Sequence, residues 1–293
     1  MQLRGSLFVI SAIISVGVLP LSVAQTSCSV PPGKPQVWKV DSAVVFTTAG
    51  LAVDADGAPN SYLADGKGLS ETCVGVVAIV DGKRVNSKTD PHHWYATCQK
   101  AWADAQSSGD YTHVSIFGFL ADKNGPLLQK EGDPLPGKAY ITTTTLSVPG
   151  TPENTQRHWV DANKIPYVVL SPSFRNTYHV KPGDLAIVYR PKTSSIAYGL
   201  FADGGDLGEA SVKLHRDLGN EPISNAKGIS RANRGIDDRV ITVVFPGVNI
   251  PGSVDTDAWY GQIQKIGKDS LERWGGVGRA KACTEESAVQ GAR

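Results

Sequence analysis

The stretch from Ala197 to Ser211, AYGLFADGGDLGEAS, decides how the rest of the chain is read. A short apolar run (Ile196, Tyr198, Leu200, Phe201) delivers Asp203 onto the glycine turn Gly204-Gly205-Asp206-Leu207-Gly208, and the turn delivers Glu209. The residues from Glu209 to Leu218 are helix-like, and Gly219 suits the left-handed position that closes a helix. Two carboxylates held on rigid elements across a tight turn are the minimum equipment for acid/base hydrolysis of a glycosidic bond. Acidic residues in Gly-rich turns are also ordinary turn chemistry, so the remainder of the chain has to decide between the two.

The two acids are expected to differ in strength. Asp203 leaves a strand among Leu200 and Phe201, and a partly dry setting there raises a carboxyl pKa. Glu209, placed in the first turn of the following helix, faces a partial positive charge that lowers it. Environments that drive two carboxyls apart yield an acid and a base, with Asp203 as proton donor and Glu209 as activator of water. Asp206, between them, fits a solvated turn residue and a substrate contact equally well.

Outward from this block the chain is punctuated by short β-branched runs: 44–48, 74–80, 113–120, 139–145, 166–170, 185–189, 196–202 and 240–245. Turn formers separate them, among them Asp81-Gly82, Asn124-Gly125-Pro126 and Pro182-Gly183. Many short strands cut by turns point to a β-barrel or sandwich. Besides Glu209 to Leu218, helices are expected over Pro91 to Gln106 and Asp257 to Trp274, where aromatic and aliphatic residues recur every three to four positions. No internal repeat or long linker is visible, so a single domain is expected.

The ends define the compartment. Arg4 followed by the apolar run Leu7 to Leu21 and by Ser22-Val23-Ala24 has the layout of a cleaved export signal over residues 1–24. The apolar run falls short of the roughly 20 residues of a membrane span, and an exported, monomeric protein without a membrane partner is expected. Residues 25–40 read as a proline-rich lead-in, 41–282 as the working domain and 283–293 as a solvated tail. The 293-residue chain is 41% hydrophobic and 19% charged with a formal charge of +1, a globular composition. Without a basic stripe, nucleic acid is not an expected partner. Four cysteines in an exported chain favour two disulfides in one of three pairings. A local Cys73–Cys98 staple and a Cys28–Cys283 clamp on the two ends are the expected ones.

A second acidic motif, Asp54-Ala55-Asp56-Gly57-Ala58-Pro59-Asn60-Ser61-Tyr62, admits three readings. It resembles the start of a calcium loop, but the glutamate expected at the twelfth position is replaced by Asp65. It also fits an Asx-type turn, and it fits a substrate-binding role for Asp54 and Asp56. His92-His93 lacks a third ligand at a useful spacing, so no metal and no other cofactor is expected. No Gly-x-Ser-x-Gly elbow is present to support a serine nucleophile.

In their order, these motifs resemble those of the fungal-type chitosanases of glycoside hydrolase family seventy-five and their bacterial relatives. The segment Asp54 to Tyr62 is similar to the family's N-terminal signature. Pro136 to Leu146, Val160-Asp161, Ile165 to Leu170 and Gly183-Asp184-Leu185-Ala186 follow in family order, with a slight shift of register in the first. The Tyr198 to Ser211 block, Val243 to Gly247 and Trp274-Gly275-Gly276 complete a resemblance covering most of the chain from Asp41 to Gly276. It implies a small closed six-stranded, double-psi-like β-barrel with flanking helices, and it places the two essential acids on Asp203 and Glu209. It further implies endo-acting, inverting cleavage of β-1,4-linked glucosamine polymers, with carboxyls roughly 6.5–9.5 Å apart and water between them. An acidic groove suits a polycationic substrate. The chain departs from the family in a loop between the acids about three residues shorter and in an insertion-like Trp-rich region from Ala78 to Ser108. The rival expectations are an enzyme of peptidoglycan-type glycan and a carbohydrate-binding protein without turnover.

Overall fold

The computed structural model describes residues 36–290. Its centre is an eight-stranded sheet in the order Val37–Val40, Ala43–Thr48, Val240–Asn249, Asp184–Arg190, Ser195–Asp203, Tyr167–Val169, Glu209–Ser211, Ala52–Asp54. Neighbours are antiparallel except for two parallel pairs, Ser195–Asp203 with Tyr167–Val169 and Glu209–Ser211 with Ala52–Asp54. The chain is therefore mostly β with a few helices. The hydrogen-bonded order ends in Val37–Val40 on one side and Ala52–Asp54 on the other, and no ladder among the described residues joins these two ends.

The central strands carry apolar side chains on both faces, which is why DLAIVYR and VITVVF read as nearly unbroken hydrophobic runs. On one face Leu185, Ile187 and Tyr189 pack with Val45, Val243 and Phe245. Helix Thr256–Trp274 covers that face with Trp259, Ile263, Leu271 and Trp274, the stripe expected from their spacing. Asp255 caps this helix by accepting the Ala258 N–H at 3.0 Å. On the other face Ala186, Val188, Phe46, Val168, Phe201 and Ala210 pack beneath the short helices Pro172–Tyr178 and Val212–Asp217.

A satellite unit lies beside the sheet. Strands Lys83–Val85, Val76–Val80 and Val114–Ile116 form a three-stranded antiparallel sheet. Helix Trp94–Ser108 packs on it around Cys98, Trp102, Phe119 and Tyr140. The Cys73–Cys98 disulfide ties this helix to the short turn of helix at Thr72–Gly75, as expected. Cys283 is also in a disulfide. Its expected partner, Cys28, lies outside the described residues, as does the export signal. A Cys73→Ser/Cys98→Ser variant should lose about 3–4 kcal/mol of unfolding free energy by chain-entropy reasoning for this loop length, read by urea denaturation.

Several elements differ from expectation for physical reasons. The lead-in is structured from Val37, because Trp38 is fully buried in the core and Val37–Val40 pairs with Ala43–Thr48. The expected tail is instead part of helix Gly276–Gln290, in which Cys283 and Thr284 are buried. Residues 139–145 form no continuous strand; they run extended through isolated bridges at Ala139, Tyr140 and Thr142. Residues 74–75 close a short helix before the strand begins at Val76. No helix of the described residues is long and apolar enough to cross a membrane.

Candidate active site

The sheet brings the two acidic motifs together. Strand Ser195–Asp203 ends at Asp203, and the turn that follows returns the chain into Glu209–Ser211, which runs parallel to Ala52–Asp54 with Ser211 opposite Asp54. Ser211 is the pin of this arrangement. Its buried hydroxyl donates to the Ile165 carbonyl and accepts the N–H groups of Tyr167 and Leu214, so one side chain joins two strands and caps helix Val212–Asp217. The turn between the acids is tight: a Cβ on Gly205 would sit 3.1 Å from Glu209 Oε2 and 2.9 Å from Val169. A larger residue there would push on Glu209 directly.

Four carboxylates result. One oxygen each from Asp54, Asp56 and Asp203 lies within 4.8 Å of the others, and Glu209 feels the Asp54 charge from its own strand. Among the described residues, no ion pair neutralises any of these four. Asp203 is held firmly. Its Oδ1 accepts the Thr145 N–H at 3.0 Å, the Thr145 hydroxyl at 3.1 Å and the Gly204 N–H at 2.7 Å. With Oδ1 filled by three donors, a proton on this carboxyl resides on Oδ2. Burial, then the Asp54 charge, pushes the Asp203 pKa up to about 8, against the pull of the three donors. Asp54 accepts the Asp56 N–H at 2.9 Å and is itself raised by burial. Asp56 is raised well above the usual range, by burial first and by the charges of Asp54 and Asp203 next.

Glu209 corrects one expectation. Helix Val212–Asp217 starts after the Ser211 cap, and Glu209 lies in the strand before it, outside the first turn. The helix end therefore does not lower its pKa. Burial raises it to about 7, helped by Asp54 and Asp206. Asp206 is exposed at the crown of the turn and contributes its charge from there. Both acids are therefore raised, Asp203 to about 8 and Glu209 to about 7, where the sequence led one to expect them pushed in opposite directions.

Thr145, Tyr167 and Tyr62 belong to the site without having been singled out from sequence. Tyr167 Oη donates to the Asp56 carbonyl at 2.8 Å, and burial beside the carboxylates holds its own hydroxyl well above the usual pKa. Tyr62 is buried beside Asp56, and burial followed by the Asp56 charge raises its hydroxyl likewise. A run of four threonines, Thr142 to Thr145, was the available signal for the first of these. Its pairing with Asp203 depends on a loop register that local pattern does not encode. His93 sits exposed beside Asp90, so the histidine pair is surface chemistry.

Thr145→Val keeps the N–H donor and removes the hydroxyl donor. The Asp203 pKa should rise further, moving the alkaline limb of activity to higher pH and lowering kcat about tenfold. A pH–rate profile of the variant checks both.

The searches that could place this chain beside known proteins gave no match to any family model or curated protein.

Proposed function

We propose that the protein is a secreted endo-acting glycoside hydrolase that cleaves β-1,4-linked glucosamine polymers by an inverting, two-carboxylate mechanism, as the resemblance to family seventy-five chitosanases implies. The observation that carries this reading is the convergence of the acids: oxygens of Asp54, Asp56 and Asp203 lie within 4.8 Å of one another, and Glu209 stands on the strand paired with the one that carries Asp54. Protonated Asp203 donates from Oδ2 to the leaving glycosidic oxygen. Ionised Glu209 takes a proton from water as that water attacks the anomeric carbon, and no covalent intermediate is needed. The charge of Asp54, which both acids feel, favours the positive character of the sugar in the transition state. The excess of uncompensated carboxylates suits a substrate that carries an ammonium on every unit. Under the same reading the two parallel strand pairs belong to a double-psi-like barrel, a winding that simple hairpins do not produce.

The experiment is digestion of chitosan, chitin and peptidoglycan with the anomeric proton followed by NMR. Chitosan should be cleaved with α-anomeric products appearing first. Initial β product points to a retaining route, and turnover of peptidoglycan alone gives the rival substrate. Binding of chitosan without turnover is the outcome of the non-catalytic reading. Activity on short oligomers should be bell-shaped, with limbs near 7 and 8 that belong to the cluster as a whole. The cationic substrate stabilises ionised carboxyls, so the limbs in kcat should lie at lower pH than those in kcat/KM.

A further inference from the structure

Beside the turn that joins the two acids stands a cation without a counter-charge. Arg175, on helix Pro172–Tyr178, is half-buried and lays its guanidinium over the Phe201 ring at 5.3 Å, a cation–π contact that holds the side chain in place. The position that a Cβ on Gly204 would take is 3.6 Å from Arg175 Nη2 and 3.2 Å from Thr145 Oγ1. Thr145 Oγ1 is the atom that donates to Asp203 Oδ1, so the guanidinium borders the bonds that hold the acid. Gly204 itself is exposed, and this place opens to solvent. Among the described residues Arg175 makes no ion pair. Its Nε is shut off from solvent, whereas Nη1 and Nη2 bond to nothing among the described residues and stay open. The surroundings otherwise carry the opposite sign: Asp206 is exposed on the same turn, and Asp54, Asp56 and Asp203 converge next to it. A polymer lying across the turn therefore meets one cationic position among anionic ones.

We infer that Arg175 is a specificity-determining residue: for the sugar bound over Gly204, beside the acid, it selects a unit whose C2 group is an acetamido in place of an ammonium. The inference rests on the proposed function, under which the C2 position of the polymer carries one or other of these two groups. A guanidinium offers N–H donors in a planar fork and accepts nothing. The carbonyl oxygen of an acetamido group takes such a donor, and the charge on the donor strengthens the bond. An ammonium in the same place brings only donors and a like charge, and a like charge set against the wrong ligand is one of the two ways a site discriminates. At the carboxylates the preference is reversed, and ammonium-bearing units fit there. The bond cut best is therefore one in a mixed chain, acetylated over Arg175 and deacetylated beside it.

The test digests a partly N-acetylated chitosan with the wild type and with Arg175→Met, which keeps an apolar stem over Phe201. Mass spectrometry reads the sugar at each newly formed chain end. In the wild type, acetylated units should be enriched at one of the two new ends. The kcat/KM for such bonds should exceed that for a fully deacetylated chain by about tenfold, the effect of one hydrogen bond to a charged group. In Arg175→Met the enrichment should vanish, with kcat/KM falling on the mixed chain and rising on the deacetylated one. In parallel, calorimetry on full-length Asp203→Asn protein compares a fully deacetylated glucosamine hexamer with hexamers acetylated at a single unit. One of the acetylated hexamers should bind more tightly, and Arg175→Met added to Asp203→Asn should abolish the difference. If the wild type cleaves chitosan but leaves new ends of the polymer's own composition, the role of Arg175 is overturned and the hydrolase reading stands. An Arg175-dependent preference in binding, in a protein that hydrolyses no chitosan, supports the role and ends the hydrolase reading. No hydrolysis and no preference overturn both. A preference that survives in Arg175→Met at an unchanged melting temperature also overturns the role, and the wild-type chain ends decide the matter without the variant should it fail to fold.

Discussion

Asp203→Asn and Glu209→Gln should each lower kcat on chitosan oligomers by about 10³-fold, within the range contributed by a positioned acid or base. The asparagine is a demanding control because its Oδ1 still accepts from Thr145 and Gly204, the contacts that hold Asp203 in place. The only thing removed is the transferable proton on the other side of the group. The loss should therefore appear in kcat with little change in KM, in a protein whose circular dichroism spectrum is unchanged. Glu209 has no such set of donors, and glutamine there keeps size while removing the base. Activity that falls only in step with unfolding, across both variants, means that these side chains are structural and that the catalytic assignment is wrong. Asp206→Asn serves as the comparison, since its exposed charge raises Glu209. It should move the acid limb of the profile to lower pH and leave kcat at the optimum nearly intact.

The second large effect is on stability, and its sign is opposite to that of most carboxylates. Asp203 and Glu209 have folded pKa values raised to about 8 and about 7, from ordinary values of 3.8 and 4.5. The folded chain consequently holds protons that the unfolded chain has released. Stability from these groups is complete below about pH 4 and is lost as pH rises toward 8, with the slope set by the difference in bound protons. Asp203→Asn removes the larger part of this penalty. At pH 9 the variant should be more stable than the wild type, by on the order of 2–4 kcal/mol once residual solvent contact is allowed for. Near pH 4 the two should melt together. Thermal melts from pH 4 to 9 measure it. A wild type with no slope between pH 5 and 8, or a variant less stable at pH 9, contradicts the half-buried, uncompensated cluster. An inactivating change that stabilises is what a site held against its own electrostatics leads one to expect.

The parts of the fold legible in sequence were those with local signals. The hairpin 184–203 announced itself through Gly183 and two apolar runs, and helix Thr256–Trp274 through its aromatic spacing and Gly275. Trp38 was hidden by the prolines before it, which made residues 31–35 read as a lead-in and drew the strand Val37–Val40 into it. Glu209 was misplaced by three residues because Gly-Glu-Ala-Ser is too short to show a period. The Ser211 cap, two residues on, was the signal that would have put the helix start at Val212. The four carboxylates were all visible as residues. Their convergence was not, because it depends on a parallel pairing between Ala52–Asp54 and Glu209–Ser211, and parallel partners leave no turn between them to read. Thr145 and Tyr167 came from the same blind spot: each contacts the cluster through a register set elsewhere.

That long-range pairing also orders events in time. Between Ala43–Thr48 and the hairpin sits Val240–Asn249, a central strand that comes from the last quarter of the chain. During synthesis or export the N-terminal acids emerge well before the strand that completes the sheet on which the others are hung. High contact order makes such a chain a slow folder, and the mutual repulsion of the carboxyls opposes their gathering until the surrounding layers close. A chain truncated before Val240 therefore lacks the central strand of the sheet that holds the four carboxylates together.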